Sequence, residues 1–249
     1  MKFLYALLLL VILSSCNDQK EKTPAENIIG QAIENAGGEK YEKAEIHFKF
    51  RKYRYSSRRD GGFFEYTRTI TDSLGEARDI LTNEGFRRFR GEQEETLHDT
   101  LISAFSNSVN SVHYFVQLPY GLNAPAVQEK LVGEDTISGE PYYEVKVTFA
   151  QEGGGTDHED EYMYWIHKED YTVDYLAYRF YVNEGGIRFR KAVNPRKIEG
   201  LRFVDYENYK LEDNWRNIDL TKVDELFEAG KLPLLSMIET DVEKVEIQK

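Results

Sequence analysis

The chain begins with an apolar block and then changes between two hydrophobic periods. Phe3–Leu13 is an uninterrupted apolar run that follows a single lysine, and it is shorter than a membrane-spanning helix needs to be. Small residues follow it directly and lead to Cys16, the only cysteine of the chain. A basic start, a short apolar segment and small residues at its end predict a secretory signal peptide over residues 1–16.

The end of this segment, Leu13-Ser14-Ser15-Cys16, resembles a lipobox, in which the cysteine is acylated and becomes the first mature residue. The alternative is an ordinary signal peptide with a chance cysteine. Two or three acyl chains hold a protein on a membrane far more firmly than one chain. We therefore predict a lipid-anchored envelope protein that is handled by the lipoprotein export machinery. Asn17 after the cysteine points to the outer membrane; the periplasmic or outward orientation stays open.

Residues 17–22 are polar and predict a short tether. Thr23-Pro24-Ala25-Glu26 has the pattern of a capping box with proline at the first helical position. The apolar residues from Ile28 to Ala36 then recur at helical spacing, and Gly37-Gly38 ends the predicted helix.

From there the apolar period changes to two. Ile46, Phe48 and Phe50 alternate with polar residues, and aromatic residues then resume on the opposite parity, which predicts a bulge near Arg51-Lys52. Further strands are predicted over Phe64–Ile70, Ala77–Thr82 and Phe86–Phe89.

Helical spacing returns over Glu94–Gln117, where Pro119 ends the run, and a second short helix is predicted over Pro125–Lys130. A helix over Thr221–Ala229 and a final strand over Leu234–Ile247 close the chain. Strands are predicted in between over Leu131–Ile137, Tyr142–Ala150, Glu161–His167, Val173–Val182, Ile187–Val193 and Leu201–Leu211. In the second of these, the face that carries Tyr142 and Glu144 is predicted to be solvated.

Short connections between consecutive strands exclude a parallel sheet, because a parallel crossover needs a dozen or more residues. The prediction is a single α+β domain, mainly β, over residues 23–249. Its large antiparallel sheet curves around the Glu94–Gln117 helix, and short helices cover the rest.

Composition narrows the function. The chain has 44 acidic and 32 basic residues, a formal net charge of -12, which disfavours binding to nucleic acid. With Cys16 consumed by the lipid, the mature fold has no disulfide, thiolate metal site or cysteine nucleophile. No serine-nucleophile elbow, phosphate-binding loop or dinucleotide-binding glycine pattern is present, and no cofactor is predicted.

The Gly153–Asp160 segment carries the first candidate chemistry. Asp157, His158 and Asp160 are types of residue that ligate a divalent cation, and the glycines allow the loop to bend around it. Their spacing matches no standard zinc or calcium motif. The alternative, which we favour, is a flexible acidic hairpin loop.

A basic cluster gives the second candidate. Arg188 and Arg190 lie on one face of a predicted strand and are able to clamp a carboxylate or phosphate from a concave surface. Pairing with acidic residues of the next strand, such as Asp205 and Glu207, is the structural alternative.

Aromatic residues crowd the two strands between 161 and 182. Tyr164, Trp165, Tyr175 and Tyr178 occur on both parities, so both faces of these strands are covered. The cover is either protein core or a bound apolar ligand.

Eight segments together resemble an uncharacterised family of lipoproteins from Bacteroidota-type Gram-negative bacteria, of unknown function. The segments are Val112–Phe115, Leu118–Leu122, Gly153–Asp160, Tyr164–Ile166, Val173–Tyr178, Gly186–Arg190, Asn194–Arg196 and Phe203–Tyr206. The helix-then-sheet layout is also similar to the LolA/LolB lipoprotein-carrier fold, an open half-barrel closed by helices over an apolar cavity.

Three functions follow as hypotheses. The favoured one is a non-catalytic module that binds a hydrophobic, acyl-chain-like ligand in the half-barrel, with Tyr164, Trp165, Tyr175, Tyr178, Arg188 and Arg190 as candidate contacts. The first alternative is an envelope enzyme, such as a metal-dependent hydrolase that uses Asp157, His158 and Asp160. The second is a structural or protein-interaction lipoprotein.

Overall fold

The structure is a computed structural model that describes residues 21–152, 159–182, 184–211 and 213–248. Cys16, Asp157 and His158 lie outside the described residues. The helices are α1 (Pro24–Ala36), α2 (Asp99–Val116) and α3 (Val223–Glu228). The strands are β1 (Ala44–Phe50), β2 (Tyr53–Asp60), β3 (Phe63–Asp72), β4 (Gly75–Thr82), β5 (Gly85–Arg90), β6 (Gln93–Glu94), β7 (Val127–Ile137), β8 (Glu140–Phe149), β9 (Glu161–His167), β10 (Val173–Phe180), β11 (Gly186–Ile198), β12 (Leu201–Leu211), β13 (Leu234–Ile238) and β14 (Thr240–Ile247).

The α1 helix begins as its sequence predicts. The Glu26 backbone N–H donates to Thr23 Oγ1 over 3.2 Å, and the Glu26 side chain accepts from the Thr23 N–H in return. The helix ends at Gly37, where φ is +140° and an added Cβ would lie 2.6 Å from Leu201 Cδ2. Only glycine allows the chain to turn this closely against β12.

The strands form two seven-stranded sheets in which all neighbours are antiparallel. Sheet A has the order β14-β1-β2-β3-β4-β5-β6, and sheet B has the order β13-β12-β11-β10-β9-β8-β7. Glu239 alone separates β13 from β14, so one edge of each sheet continues into the other. The predicted single final strand over Leu234–Ile247 is therefore two strands that belong to different sheets.

The α2 helix lies between the two sheets. Val112 and Val116 pack into the core of sheet A, whereas Tyr114 and Phe115 pack into that of sheet B. The helix begins at Asp99, after the His98 cap, and not at the predicted Glu94. Gln93 and Glu94 instead pair with β5, because their backbone hydrogen bonds complete the edge of sheet A.

Each face of sheet B has its own core. The inner face packs against α1 through residues such as Ile29, Val145 and Leu176. Residues 215–232, here called the C-terminal cover, pack against the outer face. The cover includes α3 and buries Tyr142 and Glu144, which the alternation of β8 predicted to be solvated. That prediction is wrong because a distant segment of the chain covers the outer face.

Two local predictions also need correction. Arg51 and Lys52 form a two-residue turn between β1 and β2 in place of a bulge, so the change of parity marks a hairpin. The predicted helix over Pro125–Lys130 is the start of β7, which pairs with β8. Because the edge hydrogen bonds of β8 are available, sheet pairing overrides the local helical pattern.

The predicted class, a mainly β, antiparallel α+β fold that remains open around a long helix, is confirmed, with two sheets where one was expected. Within the described ranges, no helix combines the length and the apolar character that membrane crossing requires.

Candidate functional site

A cavity of about 530 Å³ lies between the two sheets, along α2. From the sheet A side it is lined by Phe50, Arg51, Tyr53, Tyr55 and Arg68. From α2 it is lined by Ser108, Ser111, Val112, Phe115 and Val116. From the sheet B side it is lined by Asp160, Tyr162, Tyr178, Phe180, Val182, Arg188, Arg190, Asn208, Leu235 and Ile238. The volume is typical of small-molecule sites. Twelve of the twenty lining residues are aromatic or aliphatic, and four arginines, two serines, Asp160 and Asn208 supply the polar groups.

Arg190 is the most unusual group in this wall. Its side chain is on β11 and the residue is only 8% exposed. The guanidinium lies 3.9 Å from the centre of the Phe115 ring, and Nη2 donates to the Tyr178 hydroxyl over 2.9 Å. Its Nε is buried without a hydrogen-bond partner, and no carboxylate of the described residues pairs with it. The cavity wall therefore holds a buried positive charge that is not neutralised by a described residue.

Asn208 stands directly opposite Arg190 on β12 and also lines the cavity. Its Nδ2 donates to Ser236 Oγ over 3.2 Å, whereas its Oδ1 is buried without a partner. Two neighbouring polar atoms, one donor and one acceptor, are thus unsatisfied in the same part of the wall. Buried polar atoms in native proteins are almost always hydrogen-bonded to protein groups or to ordered water, so both atoms are available to a polar partner in the cavity.

Arg188 is half-buried on the same strand and stacks on the Phe180 ring at 4.8 Å. The sequence left open whether these arginines pair with Asp205 or Glu207. Asp205 pairs with Arg196 at 3.1 Å, and Glu207 accepts from the Tyr209 hydroxyl at 2.7 Å. Neither acid neutralises Arg190.

Arg68, on the opposite wall, is fully paired. Its Nε and Nη2 donate to Asp79 Oδ2 over 2.9 and 2.5 Å, and its Nη1 donates to Ser108 Oγ over 2.7 Å. Arg88 holds the other side of the same carboxylate, with Nε 2.6 Å from Asp79 Oδ1. Because Asp79 already neutralises its charge, Arg68 forms part of the cavity wall but is not expected to attract an anionic ligand.

The other predicted contact residues separate into two groups. Tyr178 lines the cavity, and Tyr164 lies on the same inner face but is fully buried, with its hydroxyl bonded to that of Tyr114. Trp165 and Tyr175 lie on the outer face of sheet B, in the core beneath the C-terminal cover. Of the predicted metal-ligating residues, Asp160 lines the cavity, while Asp157 and His158 lie outside the described residues.

Several cavity residues had no counterpart in the sequence-based prediction. Phe50, Tyr53 and Tyr55 come from the β1–β2 hairpin, and Ser111 comes from α2. Their alternation and helical spacing indicate which face each residue occupies, but the pairing of distant elements across the cavity has no local sequence signal. The change of parity at Arg51-Lys52 was interpreted as a bulge but is a hairpin turn, so the common orientation of Phe50, Tyr53 and Tyr55 toward the cavity was not predicted.

Two solved structures are similar over nearly the whole chain. A LolA superfamily protein from Nitrosomonas europaea has a TM-score of 0.52 at 13% identity, with 92% of this chain and 95% of that chain covered. A DUF1329 family protein from Desulfovibrio piger has a TM-score of 0.50 at 11% identity, with 91% and 94% covered. The fold is therefore of the LolA-like class.

Residues 2–240 match the family of unknown function DUF6503, and the chain belongs to that family. No curated protein matches the chain.

Proposed function

We propose that the protein is a lipid-anchored, non-catalytic envelope protein that binds an amphiphile in the cavity between its sheets. The ligand has an acyl-chain-like apolar part and an acidic head group. The observation that carries this proposal is Arg190, a buried cation without an acidic partner among the described residues, which lies against the aromatic part of the cavity wall.

The energetic argument starts from the cost of burying charge. A buried, unpaired ion costs several kcal/mol, and in most proteins a carboxylate or a metal-bound group offsets that cost. The aromatic rings around Arg190 and the Tyr178 hydroxyl offset part of it. An acidic head group would supply the remaining charge, and Asn208 Oδ1 offers an acceptor for a hydroxyl or protonated oxygen of the same head group.

The apolar part of the ligand follows from the rest of the wall. Aromatic and aliphatic surface faces the cavity from Phe115, Tyr162, Phe180 and Ile238. Such surface gains free energy when it is removed from water, at about 25 cal/mol per Å². A molecule with one acidic end and one apolar end matches both parts of the cavity.

The head-group test compares oleate with oleyl alcohol, which have the same chain but differ in charge. Competition with a fluorescent apolar probe on the full-length protein should give tighter binding for oleate. Arg190→Met should weaken oleate about 10- to 100-fold and leave oleyl alcohol unchanged, because charge-assisted hydrogen bonds contribute about 1.5–3 kcal/mol. The matched control is Arg87→Met, which removes the same charge from an exposed position. Equal affinity of wild type for the two ligands would contradict the head-group assignment.

The second test blocks the cavity with a large side chain. Ser111 lines the cavity from α2, and Ser111→Trp should abolish binding of both oleate and oleyl alcohol. Ser103→Trp adds the same side chain to an exposed position of the same helix and should have no effect. Unchanged binding by Ser111→Trp would place the ligand elsewhere.

The anchor is tested separately. Cys16→Ala should move the protein from the membrane to the soluble fraction, and intact mass of wild type should correspond to an acylated chain that starts at Cys16. Recovery of wild-type protein from the soluble fraction would contradict the anchor and leave the cavity proposal intact.

A further inference from the structure

A cluster of three carboxylates lies on the outer face of sheet B, away from the cavity. Asp135 on β7, Glu144 on β8 and Asp224 on α3 each place a carboxylate oxygen within 4.8 Å of the others. Asp135 and Glu144 belong to one hairpin, whereas Asp224 is distant in the sequence, so the cluster exists only because the C-terminal cover packs on the β7–β8 hairpin.

Two of the three carboxylates are buried and incompletely satisfied. Glu144 is 7% exposed and Asp224 is 3% exposed. Glu144 Oε1 and Asp224 Oδ1 have no hydrogen-bond partner among the described residues. No lysine or arginine of those residues forms an ion pair with either one; the nearby Lys222 pairs with Glu225 at 2.7 Å. Buried acidic oxygens of this kind require a counter-charge or a proton.

The backbone makes room for the cluster. Gly133 stands opposite Glu144 next to an irregularity in the β7–β8 register, and a Cβ at Gly133 would lie 2.5 Å from Glu144 Oε2. Any other residue at position 133 would push the carboxylate away from its place.

We propose that Asp135, Glu144 and Asp224 bind a divalent cation of the calcium and magnesium class. The ligand set contains only carboxylate oxygens, which these hard cations prefer. Two oxygens that bind one Ca²⁺ at about 2.4 Å lie up to about 4.8 Å apart, so the cluster is compact enough for a single ion. Asp135 is only half-buried and gives the ion access from solvent.

A bound divalent cation would neutralise the carboxylates of the cluster and complete the coordination of their unpartnered oxygens. The bound ion would join the β7–β8 hairpin to α3 and stabilise the attachment of the C-terminal cover.

The first experiment is a thermal melt of the full-length protein after chelation, with CaCl₂ or MgCl₂ added back. At a hundredfold excess over Kd, the expected rise in Tm is about 5–10 °C. Glu144→Gln and Asp224→Asn should abolish the rise. Glu134→Gln is the control, since it is an exposed acid next to Asp135 that pairs with Lys168, and it should keep the wild-type response.

The second experiment detects the ion directly. Trp165 is the cross-strand neighbour of Glu144, so tryptophan excitation should sensitise the luminescence of Tb³⁺ bound at the cluster. Added Ca²⁺ should displace that signal, and Glu144→Gln should remove it.

The proposal is overturned if wild type responds to neither ion, in which case the carboxylates share a proton. It is equally overturned if all variants respond like wild type, which would mean unspecific binding to the acidic surface.

Discussion

The two walls of the cavity handle buried positive charge in opposite ways. On sheet A, Arg68 and Arg88 share one fully buried carboxylate, Asp79, which accepts four hydrogen bonds from them at 2.5–3.0 Å. On sheet B, Arg190 has the faces of aromatic rings, the Tyr178 hydroxyl and no described carboxylate. The first arrangement is complete within the described residues, whereas the second has no anion among them.

A third buried base lies between these extremes. His113 on α2 is fully buried; its Nε2–H donates to the Thr67 carbonyl over 3.3 Å, and its ring stacks on Tyr66 at 4.3 Å. Burial lowers its pKa to about 3, with a smaller contribution from Arg59, so the imidazole is neutral. Arg202 is also buried and pairs with Asp174 at 3.2 Å. Among the buried basic residues that the structure describes, Arg190 is therefore the one that stays charged without a carboxylate partner, and the proposal that it contacts a ligand rests on this difference.

The largest predicted effect concerns the paired site. Asp79→Asn leaves two buried guanidinium groups without their anion and should lower the free energy of unfolding by about 3–5 kcal/mol in urea denaturation. Asp72→Asn is the control, because Asp72 pairs with Arg90 near the surface, and solvent replaces that interaction. If the two variants lose similar stability, the paired site is not the structural element described here.

The next prediction makes the same substitution on both walls. Arg68→Met should cost about 2–3 kcal/mol, because Asp79 loses half of its charged hydrogen bonds. Arg190→Met should change the stability of the ligand-free protein by less than about 1 kcal/mol, since the lost ring contacts are offset by removal of an unpaired charge. A large loss in Arg190→Met, measured by urea denaturation, would make Arg190 structural and weaken the case for a ligand.

The third prediction is a pH dependence of the free energy of unfolding. The unfolded chain protonates His113 below about pH 6.5, while the folded protein keeps it neutral down to about pH 3. The unfolded state therefore binds more protons in this window, and the free energy of unfolding should fall as pH falls, by about 1.4 kcal/mol per pH unit.

The measurement is the free energy of unfolding of wild type and of His113→Gln from pH 7 to pH 5, and the slopes of the two curves against pH are compared. The variant should lack this part of the slope, whatever its stability at pH 7. Parallel stability curves for the two proteins would mean that His113 titrates in the folded state.

Local patterns in the sequence predicted most elements and the fold class. The capping box at Thr23 and the apolar spacing of α2 located two helices, and short connections predicted antiparallel pairing. The failures share one physical cause, which is that pairing between distant segments overrides local pattern. Glu144 illustrates this cause. The alternation of β8 is typical of a strand with one solvent-exposed face, but residues 215–232 pack against that face and bury Glu144.

Part of the candidate site was predictable from local pattern. Arg190 was identified because it lies with Arg188 on one face of a strand, and Tyr178 was identified as one of several aromatic residues on the neighbouring strands. Trp165 and Tyr175 could not be separated from them, since aromatic side chains on the two faces of a sheet have the same local signature. The residues that line the cavity from α2 and from the β1–β2 hairpin are brought together by the tertiary fold. The local pattern of a single sequence does not show that placement.

The junction at Glu239 has a consequence for the width of the cavity. Asp205 Oδ1 accepts from the Thr240 N–H at 2.9 Å and from Arg196 Nη2 at 3.1 Å, which fixes β14 to sheet B just beyond the junction. Consecutive Cα atoms stay 3.8 Å apart, so the sheets cannot translate away from each other along this edge. The α2 helix packs into the cores of both sheets and so acts as a spacer between them. The volume available to a ligand is thus set by the covalent junction at one edge and by the side chains of one helix.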